Sequence, residues 1–194
     1  MGYAARKTVM TAAEFLAWEA GQSERHDFVD GNVFAMAGAE DRHITVTGNC
    51  YIALRQHLSG TPCRVFMADM KVAAADDASF FYPDVIVTCS AADHKSPLIK
   101  REPTLIIEVL SPGTAAYDLG QKFVHYRQIP SLAEIAFIDL DERRADVYRK
   151  GADGLWVLHP FGPGAAVQFA SVDLTITAAA LFADVDAPLP ENPA

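Results

Sequence analysis

The sequence predicts an α/β fold, a mixed sheet flanked by helices and preceded by an N-terminal helix and a hairpin. Three observations carry this. Between Pro103 and Pro112, the segment from Leu105 to Leu110 is aliphatic except for Glu108. A continuous apolar run of strand length bounded by prolines fits a central strand covered on both faces. Helical spacing stands before it, from about Asp41 to Leu58, and after it, from about Ala115 to Ile129. Short apolar runs lie on either side, so one helix crosses between the central strand and the next, as in a layered sandwich.

Taken in order, Thr11-Ala-Ala-Glu14 has capping-box spacing and opens a helix that runs to about Glu19 and ends at Gly21, with Phe15, Leu16 and Trp18 on its apolar face. Arg25 to Phe34 alternates around Asp30-Gly31-Asn32, which reads as a hairpin with Asp27 in its first strand. In the long helix that follows, Ile44, Thr47 or Gly48, Tyr51, Leu54 or Arg55, and Leu58 recur at helical spacing until Ser59-Gly60 stops it, and His43 lies in its first turn. Arg64 to Ala73 reads as one strand carrying Asp69 and Lys71, followed by a turn at Asp76-Asp77. The next strand begins Tyr82-Pro83-Asp84, and proline places Asp84 at a strand end. Residues 90–102 read as a polar, basic loop. After the central strand, the helix ending at Pro130 aligns Asp118, Lys122 and Tyr126 in one polar stripe. Strands over Glu134–Leu140, Ala145–Arg149 and Leu155–His159 and a short helix around Ala178 to Ala183 complete the chain.

The 194 residues, 51% hydrophobic and 21% charged, suit one domain, expected over residues 1–187, with a loose proline-rich tail at 188–194. No run approaches the roughly 20 apolar residues of a membrane span, and no apolar segment follows Arg6-Lys7 as a signal peptide requires, so a cytoplasmic protein is expected. Cys50, Cys63 and Cys89 are odd in number, lack C-x-x-C spacing and lie among apolar residues, which predicts buried free thiols. A net charge of -9 argues against broad affinity for phosphate backbones. A local basic patch would have to come from Lys95 to Arg101 with Lys122, Arg127, Arg143 and Arg144.

Glu108 is the residue that points to a site. A carboxylate sunk in a sheet costs several kcal/mol unless it is compensated, which leaves a metal ion, a basic partner or a raised pKa. If the strands carrying Asp84 and Glu108 are neighbours, their side chains stand about 5 Å apart on one face. Two carboxylates that close suit Mg²⁺, which takes oxygen ligands and polarises phosphoryl groups. Lys122 could reach Glu108, or could merely pair with Asp118 one turn earlier.

Tyr82-Pro-Asp84, Glu108-Val-Leu-Ser-Pro112 and Asp118-x-x-x-Lys122-x-x-x-Tyr126 together resemble the Uma family of restriction endonucleases, a branch of the PD-(D/E)XK nucleases. The likeness extends from Arg25-His-Asp-Phe-Val-Asp-Gly31 through Ala35-Met-Ala-Gly38 and His43 to Ile138-Asp139. It implies a restriction-endonuclease-like core, Asp84 and Glu108 as Mg²⁺ ligands with Mn²⁺ as a substitute, and Lys122 orienting the attacking water. It further implies that Asp27, where the family usually carries Glu, and His43 complete the site. The E-x-K lysine of the wider superfamily is replaced here by Leu110, and Lys71 is the other candidate cation. The expected activity is hydrolysis of phosphodiester bonds in DNA, with a homodimer supplying two cuts through Leu155-Trp-Val-Leu158 or Leu181-Phe182. The rival readings are a noncatalytic nuclease-fold module for dimerisation or regulation, and a hydrolase acting on a small substrate.

Overall fold

Along the central strand, Leu105, Ile107 and Val109 pack into one core and Ile106 and Leu110 into another. The period-two alternation of a strand buried on both sides puts Glu108 on the second face. The protein, a computed structural model described over residues 5–6, 9–36 and 38–186, is built around these two cores. The proline-rich tail lies outside the described residues.

The chain opens with β1 (Ala5–Arg6) and α1 (Ala12–Glu19), whose predicted capping box forms between Thr11 and Glu14. The hairpin is β2 (His26–Val29) and β3 (Asn32–Ala35), turning through positive φ at Asp30 and Gly31 as the sequence Asp-Gly predicts. Next come α2 (Asp41–His57), β4 (Arg64–Met67), β5 (Lys71–Ala74), β6 (Ser79–Phe81) and β7 (Val85–Thr88). They are followed by α3 (Ala91–Lys95), β8 (Ile99–Lys100) and the central strand β9 (Leu105–Leu110). A single helical segment then comprises α4 (Ala115–Tyr117), a π turn (Asp118–Lys122) and α5 (Phe123–Tyr126). The last elements are β10 (Glu134–Asp139), β11 (Arg144–Lys150), β12 (Trp156–Phe161), β13 (Val167–Phe169), β14 (Leu174–Ile176) and α6 (Ala178–Leu181).

One six-stranded sheet has the order β12-β11-β10-β9-β7-β4, and a second has the order β1-β3-β2-β6-β5-β8; β13 and β14 form a separate pair. Only β9–β10 and β5–β8 run parallel, so the fold is mixed as expected. The first sheet lies between α2, with β13, β14 and α6, on one face and α4–α5 on the other. Phe15 of α1 stacks on Phe28 and Phe80 of the second sheet. The chain passes from the second sheet to the first through Tyr82-Pro83-Asp84, which belongs to neither.

Several elements depart from expectation. The predicted strand 64–73 is two strands in different sheets, because Ala68 adopts positive φ (57°) and breaks it. In α2 the buried stripe is Val46, Thr47, Cys50 and Leu54, whereas Ile44 is 57% exposed. Thr47, Leu54 and Leu58 of the expected row are buried and Tyr51 packs against the core, so the departure is at Ile44. The loop 90–102 contains α3, capped by the Ser90 hydroxyl, and β8. Cys50 is the buried free thiol expected, but Cys63 and Cys89 form a disulfide. The β4–β7 register, Arg64 opposite Thr88, brings these two together although 26 residues separate them. Leu181 and Phe182 are core residues, while Leu155, Val157 and Leu158 are exposed at the β12 edge. None of the described helices is long and apolar enough to cross a membrane.

Glu134, 1% exposed at the start of β10, ties the two ends of the chain's second half together. Its Oε1 accepts from Arg149 Nε (2.7 Å) and Ala170 N (3.0 Å), and Oε2 from Ser171 N (2.7 Å). Glu134→Ala takes the acceptor from Arg149 Nε and from two backbone amides and is expected to lower unfolding free energy by about 3–5 kcal/mol in urea titrations, with Glu134→Gln losing less.

Candidate active site

Antiparallel pairing of β7 with β9 sets Val85 opposite Ile107, and the same register continued one step places Asp84 across from Glu108. Glu108 faces α4–α5, where Lys122 and Tyr126 meet it, and Asp84 reaches Val109 N and His43 of α2. Glu108 Oε1 accepts from Lys122 Nζ at 3.1 Å and from Tyr126 Oη at 2.6 Å. The π turn between α4 and α5 closes through Phe123 N to Asp118 O, one residue wider than an α turn. It points both Asp118 and Lys122 inward, the kind of bulge that recurs at functional sites.

Lys122 Nζ also lies 3.0 Å from Asp118 Oδ1 and 3.9 Å from Asp27 Oδ2, so it is at once the partner of Glu108 and of Asp118. Asp118 Oδ1 is close enough to pair in charge but forms no hydrogen bond. Burial pulls the Lys122 ammonium down, and the charges of Glu108 and Asp27 more than offset it, so its pKa stands well above the ordinary lysine value. Burial pushes the Glu108 carboxyl well up; Lys122 works against that, while Asp118 and Asp84 add to it.

Asp84 Oδ2 accepts from Val109 N at 2.7 Å and lies 3.3 Å from His43 Nε2 on the first turn of α2. Burial lowers the His43 pKa, and the hydrogen bond and charge of Asp84 reverse the effect, leaving it above the usual histidine value. Asp84, Glu108, His43, Asp118 and Lys122 line one cavity of about 340 Å³, walled by Gly38-Ala39-Glu40 and by Ser111-Pro112-Gly113-Thr114.

Asp27 is not part of that lining. It is fully buried behind Lys122, its Oδ1 accepting from Tyr82 N at 3.3 Å and its Oδ2 without a hydrogen-bond partner. Lys71 points away, its Nζ lying over the rings of Phe15 (5.7 Å) and Tyr82 (5.4 Å). Tyr82 Oη donates to Glu19 Oε1 at 2.8 Å, and Glu19 also accepts from His26 N and contacts His26 Nδ1. The sequence offered no signal for Glu19, which reads as the polar end of a surface helix; Tyr126 was visible only as a member of the polar stripe.

Of the expected basic patch, Lys95 and Arg127 are exposed and Arg143 packs on Phe182. Lys100 and Lys122 are buried, Arg101 pairs with Asp77, and Arg144 pairs with Asp146 and Asp139. Among the described residues no group of three His, Cys, Asp or Glu side chains could hold a metal ion by itself. The donor set nevertheless fits Mg²⁺, which is commonly held by one or two carboxylates with water and substrate phosphate completing its shell. Glu108 spends both its hydrogen bonds on Oε1, and Asp84 both its contacts on Oδ2. One hard oxygen of each is left without a protein partner.

The architecture is the restriction-endonuclease-like fold. A solved structure described as "a putative nuclease belonging to DUF820" from Anabaena variabilis superposes with a TM-score of 0.72, covering 89% of this chain and 97% of that one at 19% identity. The chain belongs to the Uma2 family, described as "Putative restriction endonuclease", whose family model matches residues 12–179. Two relatives from Synechocystis sp. carry the names "Uncharacterized protein slr1290" and "Uncharacterized protein sll1609". The first is 31% identical over 89% of this chain and 91% of its own length, the second 35% identical over 83% and 93%.

Burial, partly offset by Lys122, pushes the Asp27 carboxyl up to about 6 from 3.8. Folding therefore favours its protonated form. The stability that this carboxyl contributes is fully present below pH 4, is lost as pH rises through 6, and stays lost above. Asp27→Asn keeps an acceptor for Tyr82 N and is expected to exceed the wild type by about 1–3 kcal/mol in metal-free urea unfolding at pH 7.5, with the gap closing at pH 4.

Proposed function

We propose that the protein is a Mg²⁺-dependent endonuclease that hydrolyses phosphodiester bonds in DNA, its catalytic unit a single domain over residues 1–187 working in the cytoplasm. The observation that carries this is Glu108, a buried carboxylate that shares one oxygen with Lys122 and Tyr126 and stands across the β7–β9 pair from Asp84. The family to which the chain belongs supplies the nuclease class. Asp84 and Glu108 hold the metal, with Mn²⁺ as a substitute. When bound, Mg²⁺ supplies positive charge beside the phosphoryl oxygens and acidifies water.

The remaining work falls to the chain's own groups. Lys122, kept protonated by its carboxylates, acts as a hydrogen-bond donor that orients the attacking water rather than as the base that takes its proton. Tyr126 fixes the Glu108 rotamer by the 2.6 Å bond to Oε1. His43 steadies Asp84 Oδ2 from the α2 side. Asp27, sealed from the cavity, acts on the reaction only through Lys122.

One observation favours a second reading. With a net charge of -9, Lys100 and Lys122 buried, and Arg101 and Arg144 paired with acids, the chain has an acidic balance that works against holding a duplex by its phosphates. A noncatalytic nuclease-fold module for dimerisation or regulation has that property. Calorimetric titration separates the two: Mn²⁺ binding abolished by Glu108→Gln supports the enzyme, and no heat at millimolar Mn²⁺ supports the module.

For the enzyme, Asp84→Asn and Glu108→Gln are each expected to reduce Mg²⁺- or Mn²⁺-dependent DNA cleavage at least about 100-fold while circular dichroism stays unchanged. Cleavage by either variant at the wild-type rate would sink the assignment. A homodimer would give the two cuts a duplex needs; light scattering at working concentration is expected to read twice the 21.0 kDa chain mass.

A further inference from the structure

Asp84 stands on a stretch with little structure of its own. Tyr82-Pro83-Asp84 lies between β6 of one sheet and β7 of the other, outside either ladder, and Pro83 has no amide proton to offer. Besides the approach of His43 Nε2 to Asp84 Oδ2 at 3.3 Å, four contacts hold it. Tyr82 N donates to Asp27 Oδ1 at 3.3 Å, Asp84 O accepts from Ala68 N at 3.3 Å, and Asp84 Oδ2 accepts from Val109 N at 2.7 Å. The fourth is the phenol of Tyr82, which donates to Glu19 Oε1 at 2.8 Å.

Of the three contacts that do not involve the Asp84 carboxylate itself, the phenol bond is the shortest, and its acceptor is a carboxylate, which makes it the strongest. Glu19 is 2% exposed and is held in turn by His26 N (3.1 Å) and His26 Nδ1 (3.0 Å). His26 precedes Asp27 on β2. One carboxylate at the end of α1 therefore ties down both segments that bring acids to the site, although it does not line the cavity.

We infer that Glu19 is a positioning residue for Asp84, acting through the hydroxyl of Tyr82 and coupling α1 to the metal-binding carboxylates. Its functional meaning rests on the metal-nuclease reading above. The geometry it predicts does not.

The direct test is Tyr82→Phe, which keeps the ring, its packing and the Lys71 contact and removes only the donor. In metal-free protein, the Val109 amide, which reports the Asp84 contact, is expected to exchange with solvent about 10-fold faster by NMR, while the amides of Ile106 and Ile107 keep their protection. In the loaded protein, Mn²⁺ affinity or kcat is expected to fall about 10- to 100-fold with KM for DNA unchanged, the size usual for loss of a group that orients a ligand. Glu19→Gln, which retains an acceptor for the phenol, is expected to recover most of both signals, and Glu19→Ala to match Tyr82→Phe. Wild-type exchange at Val109 in Tyr82→Phe overturns the inference whatever the activity. A wild-type protein that neither binds Mn²⁺ nor cleaves DNA overturns the nuclease reading instead and leaves the exchange result to decide this one.

Discussion

The Lys122 ammonium is the fixed point of the molecule. It is buried, and Glu108, Asp118 and Asp27 all approach it within 3.9 Å. An ionised amine in such a place is tolerable only because the acids are there, and the acids only because it is. The account does not close, since three nearby carboxylates and Asp84 exceed one ammonium. Burial pushes both Glu108 and Asp27 toward their neutral forms. His43 offsets part of the remaining charge at Asp84, and the proposed divalent cation would offset more.

This excess of acid constrains the fold around it. The alternation of β9 has to present Glu108 to the helical face, and the i, i+4 spacing of Asp118 and Lys122 on the segment carrying the π turn brings both to it. Tyr126, one turn later, covers the same oxygen. The hairpin contributes Asp27 from the second sheet, so the cluster sits where the two sheets meet rather than within either one.

Much of this was legible in the sequence, where short-range chemistry decides the outcome. The capping box at Thr11, the Asp30-Gly31 turn and the proline-bounded run around Glu108 each specify their own geometry, and each appears as read. Asp84 opposite Glu108 followed from two adjacent strands. What escaped depends on pairings that no local pattern encodes. The break at Ala68 sends β4 and β5 to different sheets, and apolar periodicity across Arg64 to Ala73 cannot show it. Alpha-helical spacing located α2 and most of the row it buries, but not the burial of Val46 and Cys50, which meet a sheet built from distant strands. Cys63 and Cys89 looked like isolated thiols until β4 and β7 were side by side. No local pattern marked the burial of Glu19 and Asp118, and both are nearly inaccessible.

The link Tyr82-Pro83-Asp84 also fixes when the site can exist during folding. Asp27 belongs to one sheet, Glu108 to the other, and Asp84 to the crossing between them. A chain with only half its strands assembled has the individual acids but no constellation. A cation selective for the finished arrangement therefore gains nothing from partly formed intermediates and stabilises only the last state reached, by simple mass action. The constellation is thus a property of the finished fold and of no half-assembled part of it.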